Sequence, residues 1–294
     1  MPSSNMISQP WMRVPLGVLF VISMYGCATN PSPDADTPRT DEPTYPILAD
    51  VNGELRDTAL AQWTAFLRRN GIADAPAPEL QPVTATLRSL PTLDKTILYL
   101  PKVGAGSSMN EEETRESLRR FIAEAGSLLC GDPQQLSLVA RIDGADGVME
   151  ARYEQRAFRY VLQSGYGKLK IRFKPDRRIL GLSSTCIPET ERIRRGLTGL
   201  GQPQIAVEKV ILELVGRTVT YTDAEGHPQV YVISNKDKLT TGDLVIFPIM
   251  TAGDQPFIEF HIAWKFIVET HPGMAIYIDS INGDLLGADN LPRL

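Results

Sequence analysis

Histidine and cysteine are scarce in this sequence, with three of each among 294 residues, and that scarcity limits the available chemistry. His227 and His271 are each followed by proline, and His261 by Ile262-Ala263-Trp264. None begins the H-E-x-x-H pattern that sets two zinc ligands and a general base on one helical face. A G-x-S-x-G nucleophile elbow and a C-x-x-C pair are also missing. The glycine-rich stretch Gly104-Ala105-Gly106-Ser107-Ser108 lacks the lysine that ends a phosphate-binding loop. Basic residues are in the minority: 30 Lys and Arg against 35 Asp and Glu give a net charge of −5, which argues against nucleic acid as a partner. The sequence therefore implies no enzyme, no cofactor and no bound metal.

Long hydrophobic runs are absent as well. The longest, Val14 to Tyr25, follows Arg13 and is too short to span a bilayer as a helix. A basic residue, a short apolar run and the small residue Gly26 before Cys27 describe an export signal over residues 1–26. Gly26-Cys27 resembles the lipobox of bacterial lipoproteins. That resemblance implies acylation of Cys27 and attachment to the cell envelope, with Ala28 pointing to the outer membrane and a domain facing the periplasm. An ordinary signal peptide with an incidental cysteine is the alternative. Residues 27–50 carry Pro31, Pro33, Pro38, Pro43 and Pro46 among Asp, Thr and Ser, a composition expected to form an extended, disordered tether.

What remains is ordinary globular sequence, 43% hydrophobic and 22% charged. Leu55, Ala59, Trp63 and Phe66 recur at helical spacing, and Asn70-Gly71 supplies a stop. Asn110 with Glu113 forms a capping box ahead of a helix carrying Leu118, Phe121, Ile122 and Leu129. Strand-like stretches follow at 136–142, 148–155, 158–164, 169–174 and 179–183, and a further helix is expected over 203–216. Arg192, Arg194 and Arg195 read as solvated loop charges. From Ile258 to Glu269 apolar and polar residues alternate, which makes a long strand with one buried face. Asn282-Gly283 then marks a hairpin turn. The fold class is α+β: two, or three, units of a helix packed on an antiparallel meander, one over 51–198 and one over 199–294.

Two segments carry a family resemblance. Trp264-Lys265-Phe266-Ile267-Val268 followed by Ala275-Ile276-Tyr277-Ile278-Asp279-Ser280-Ile281-Asn282-Gly283-Asp284-Leu285-Leu286 is similar to the end of a PepSY domain. Ala151-Arg152-Tyr153-Glu154-Gln155, with Tyr166 to Phe173 behind it, resembles the fungalysin/thermolysin propeptide domain through its R-Y-x-Q element. Both occur, in this order, in metallopeptidase precursors, whose propeptides chaperone and inhibit the peptidase. The resemblance implies cystatin-like or PepSY-like units and a protein partner, such as an exported metallopeptidase. A scaffold of the envelope and an enzyme with a scattered site are the alternatives. The polar face of the strand at 258–270, namely Glu259, His261, Lys265 and Glu269, is the candidate partner surface. In an oxidising envelope Cys130 and Cys186 are the two cysteines available for a disulfide contributing about 2–5 kcal/mol. Two buried free thiols are the other possibility.

Overall fold

A computed structural model describes residues 44–290, apart from 74–75, 92–96, 107–108, 131, 145, 164, 201–204, 224–226, 236 and 272. The expected export signal, Cys27 and most of the expected tether lie outside the described residues.

In chain order the elements are β1 (Ile47–Asp50), α1 (Gly53–Arg69), β2 (Glu79–Leu80), β3 (Leu87–Ser89), α2 (Glu111–Ala125), β4 (Leu136–Asp143), β5 (Met149–Gln155), β6 (Val161–Leu162), β7 (Lys168–Phe173), β8 (Ile179–Ser184), α3 (Thr190–Gly199), α4 (Val207–Leu214), β9 (Thr218–Thr222), β10 (Pro228–Val232), β11 (Leu239–Thr251), β12 (Phe257–Val268), β13 (Met274–Asp279) and β14 (Leu285–Asn290). The class is mixed α+β. Sheet pairing is antiparallel except for the short junction of β6 with β11.

The first half is built on a four-stranded sheet in the order β4-β5-β7-β8. Along β7 every second residue is buried, so Leu169, Ile171 and Phe173 face inward while Lys168, Lys170 and Arg172 face water. Helices α1 and α2 supply the other side of this core with Trp63, Phe66 and Leu67 and with Leu118, Phe121 and Ile122. The Phe66 and Phe121 rings meet edge to face at 5.6 Å. At the start of α2 the capping box is present. Asn110 Oδ1 accepts from the Glu113 amide at 2.9 Å, and Glu113 Oε2 accepts from the Asn110 amide at 2.9 Å.

The second half is a six-stranded sheet ordered β14-β13-β12-β11-β6, with β1 attached to β12. β12 is its central strand. On one side it pairs along its length with β11. Its other side is shared: β13 takes Ala263 to Ile267, and β1 takes Phe257 to Phe260. Phe266, Val268, Ile276 and Ile278 pack beneath α4 and the β9–β10 hairpin. Ile258, Phe260 and Ile262 pack with Ile193 and Leu197 of α3. The opposite face is concave. A Cβ at Gly287 of β14 would stand 3.3 Å from the ring of Phe247 on β11, and those strands are separated by two others in the sheet order. Glycine at this position (φ +158°) lets the sheet curl far enough for that approach. Inside the curve the rings of Phe247 and Tyr277 lie 4.4 Å apart.

Several expectations change. Ile47–Asp50, assigned to the tether, is a strand whose Ile47 and Ala49 are buried in the core beside α3. The arginine-rich stretch at 192–195 is helical, not a loop. Arg192 pairs with Glu189, and Arg194 and Arg195 with Glu191, at helical spacing. The stretch 158–164 adds no strand to the first sheet, where β5 pairs directly with β7. Only Val161–Leu162 is extended, and it joins the second sheet. The second sheet draws β1 and β6 from before residue 198, so strands on both sides of 198/199 share it. Residues 47, 83, 162, 187 and 193 share one apolar cluster with 246, 258 and 260, and residues 42–294 form one compact unit.

Candidate functional site

At the junction between β1 and β13 along the edge of β12, ladder pairing is interrupted around Ile262. The Ile262 amide donates to the hydroxyl oxygen of Tyr45 at 3.1 Å, and its carbonyl accepts from Ser280 Oγ and the Ser280 amide, both at 2.8 Å. The Tyr45 and Ser280 side chains, with the Ser280 amide, thus satisfy the backbone of Ile262 where the β1 and β13 ladders leave a gap.

The same tyrosine leads into a chain of ionisable groups. Tyr45 donates its hydroxyl proton to Asp279 Oδ2 at 2.7 Å, and His261 Nδ1 lies 2.7 Å from that oxygen. The other ring nitrogen, Nε2, is 3.3 Å from Glu259 Oε2. Tyr45 also meets the imidazole edge to face, with centroids 5.8 Å apart. Asp279 is fully buried and His261 is 6% exposed, so the cluster is sealed by the fold, with Glu259 at its open end.

Burial alone would raise the Asp279 carboxyl. Hydrogen bonds from His261, from Tyr45 and from the amides of Ile281 and Asn282 outweigh it and hold the group below the usual carboxylate range. Each oxygen has its own task. Oδ1 accepts from the Ile281 and Asn282 amides at 2.8 and 3.2 Å and shapes the turn, as expected of an Asp before Asn-Gly. Oδ2 holds His261 and Tyr45. The Tyr45 phenol is pushed up, first by burial and then by its bond to Asp279.

Of the four residues expected to form a partner surface, the structure brings together Glu259 and His261. Lys265 is half-buried opposite Tyr277. Glu269 lies beyond the end of β12, where Thr240 Oγ1 at 2.5 Å and Lys238 Nζ at 2.9 Å hold its carboxylate, and those bonds, the threonine's first, lower its pKa. Ten residues of strand, roughly 33 Å, separate it from Glu259. The four are therefore not one exposed platform. The polar face of β12 lines the inside of a curved sheet, and as a central strand β12 has no free edge for an incoming segment. Asp279 and Tyr45 complete the cluster and were not in that set. The only sequence signal for Tyr45 is an aromatic ring within a proline-rich stretch.

The R-Y-x-Q residues have separate surroundings. Gln155 is buried and exchanges two hydrogen bonds with the backbone of Ile187, at 2.8 and 3.0 Å. Tyr153 is buried, and Arg152 is exposed and paired with Glu150 at 2.6 Å. Cys130 and Cys186 are buried free thiols. They touch: the hydrogen bond that the Cys130 thiol makes to Cys186, then burial, pushes the Cys130 thiol up. Among the described residues no group of three or more His, Cys, Asp and Glu could hold a metal ion. No described helix is long and apolar enough to cross a membrane. No family model matches the chain, and no curated protein matches it.

Proposed function

We propose that this chain is a non-catalytic binding protein of the bacterial envelope. Anchored through acylated Cys27, it faces the periplasm from the outer membrane and captures an extended segment of an exported protein, with a secreted metallopeptidase as the first candidate. The resemblances to propeptide and PepSY domains, read as two helix-plus-meander units, supply the partner class.

The observation that carries the reading is the open edge of β4. This eight-residue strand ends its sheet with β5 as its one neighbour in the sheet order. Leu138, Val139 and Ile142 are 38%, 46% and 41% exposed along it. A free edge of that length offers main-chain hydrogen bonds for affinity and alternating side chains for selectivity. The edge strand is interrupted by a bulge between Leu138 and Ala140, which limits pairing between copies of the chain. The His261 cluster also favours binding over catalysis: both ring nitrogens already face carboxylates, and the ring is buried.

The test is capture from detergent-solubilised envelope, comparing the parent with a Val139→Lys/Ile142→Lys variant. Both positions are exposed, so the variant keeps its core. Recovery of an exported peptidase by the parent and its loss in the variant is the expected result. Recovery of structural envelope proteins instead assigns the chain to scaffolding. Zinc-dependent cleavage of casein by the purified chain alone overturns the non-catalytic reading.

A further inference from the structure

The β9–β10 hairpin forms a two-stranded sheet of its own, in which β10 has β9 as its one neighbour. Period two gives the hairpin two faces. Val219, Tyr221, Tyr231 and Ile233 join the core with α4. Thr218, Thr220 and Thr222 of β9 and Pro228, Val230 and Val232 of β10 are exposed on the other face. Val230 is 70% exposed and Val232 56%. Neither strand carries a charged residue, although the protein as a whole bears −5.

The backbone of β10 is open along the same three residues. Ile233 donates its amide to the Arg217 carbonyl at 2.9 Å, and the His227 carbonyl accepts from the Asp223 amide at 3.0 Å. The odd-numbered residues therefore bond toward β9. By alternation, the amides and carbonyls of Val230 and Val232, with the Pro228 carbonyl, point to the outer edge. That open stretch is bounded at both ends. The Ser234 amide is taken by Asp237 Oδ2 at 2.7 Å, and Pro228 has no amide proton. Natural edge strands carry charges or bulges that prevent pairing. β4 has both, with Arg141, Asp143 and the bulge after Leu138. β10 has neither, and its ladder with β9 runs without a shift.

Such an edge is self-complementary. Two copies set antiparallel about a twofold axis at Val230 put Val230 opposite Val230 and Pro228 opposite Val232. On the other face Gln229 stands opposite Tyr231. Every cross-strand pair is uncharged. Four main-chain hydrogen bonds form: two between the Val230 residues, and one from each Val232 amide to the facing Pro228 carbonyl. The missing proline proton ends the ladder, so the seam has a fixed length and closes on its own axis. Copies that repel each other through their like net charge meet here at a neutral seam. We infer that two copies of the chain associate by antiparallel pairing of their β10 strands, which joins two hairpins into one four-stranded sheet. Five residues a side bury less than the about 800 Å² per partner of a standard interface, so the contact is of the weak, reversible class. The inference does not depend on the β4 edge.

The experiment is oxidative cross-linking of single cysteine replacements in cells producing the full chain. The parent, which keeps Cys27, Cys130 and Cys186, sets the background. Bonded pairs in an antiparallel ladder have Cα atoms about 5.5 Å apart, within reach of a disulfide. Val230→Cys should link to itself about tenfold faster than Thr220→Cys, whose counterpart lies three strand spacings away, roughly 14 Å. Pro228→Cys and Val232→Cys should link when produced together and not when produced alone. All four positions are exposed, so the replacements leave the core intact. Equal rates at 220 and 230, or no cross-linked dimer, overturns the proposal. Linking of Pro228→Cys to itself as fast as to Val232→Cys means another register and also overturns it. A Val230→Cys adduct with a different protein in place of the dimer gives the edge to a foreign strand and does the same.

Discussion

Tyr45 and Asp279 stand 234 positions apart in sequence and share a hydrogen bond of 2.7 Å. The tyrosine hydroxyl is both donor and acceptor there, closing the gap in the β12 edge at Ile262 while it satisfies a buried carboxylate. Tyr45→Phe keeps the ring and removes both bonds. It should lower stability by about 1–3 kcal/mol, the penalty for buried polar groups left without partners. Urea denaturation monitored by circular dichroism measures this. An unchanged midpoint means that the hydroxyl contributes nothing to the fold.

Asp279 gives the fold a defined acid sensitivity. Its folded-state pKa lies below the ordinary value, so its contribution to stability is present above the unfolded carboxyl pKa, about 3.9. That contribution is lost as pH falls through the lower, folded-state value. Asp279→Asn should therefore be less stable than the parent at pH 7, and the gap should narrow below about pH 4. Urea midpoints of both proteins between pH 7 and 3 decide it. A gap that stays constant or widens in acid refutes the assignment.

Cys130 and Cys186 are free thiols in contact at the foot of the first core. Cys130 follows the helical turn after α2, and Cys186 lies just beyond β8. In protein purified from an oxidising compartment the pair should be bonded, raising stability by about 2–5 kcal/mol over the reduced form. Mass spectrometry of non-reduced peptides reads the linkage directly. Two free thiols in such protein would exclude it.

Cys27→Ser tests the membrane anchor. The variant should remain unprocessed or appear in the soluble fraction. If it partitions into detergent like the parent and has the same mature mass, the chain is not a lipoprotein.

Local periodicity made much of this architecture legible. Alternation over 258–269 marks β12 and its two faces, and Asn110 with Glu113 marks the start of α2. The clustered arginines of helix α3 read as loop, and the helix's close approach to β1, where a Cβ at Gly196 would stand 2.7 Å from Ile47 Cδ1, has no local signature. The site was half legible. Glu259 and His261 share a strand face by period two, but the curvature that turns this face inward depends on the approach of Gly287 to Phe247. No local pattern encodes that contact. One oxygen of Asp279 shapes the turn before Asn282-Gly283; the other meets His261 only because β12 and β13 pair in the observed register.

The position of β1 also bears on when the protein can finish folding. A ribosome or secretion channel delivers Ile47–Asp50 long before Phe257–Phe260, the residues with which it pairs. Tyr45 must wait longer still, for Asp279. Until nearly the whole chain has emerged, the amino-terminal strand has no register to adopt, and the first sheet can form around α1 and α2 without it. Long-range pairing of this kind closes slowly and leaves strand edges uncovered in the interval. The second sheet is therefore the part of the molecule that closes last.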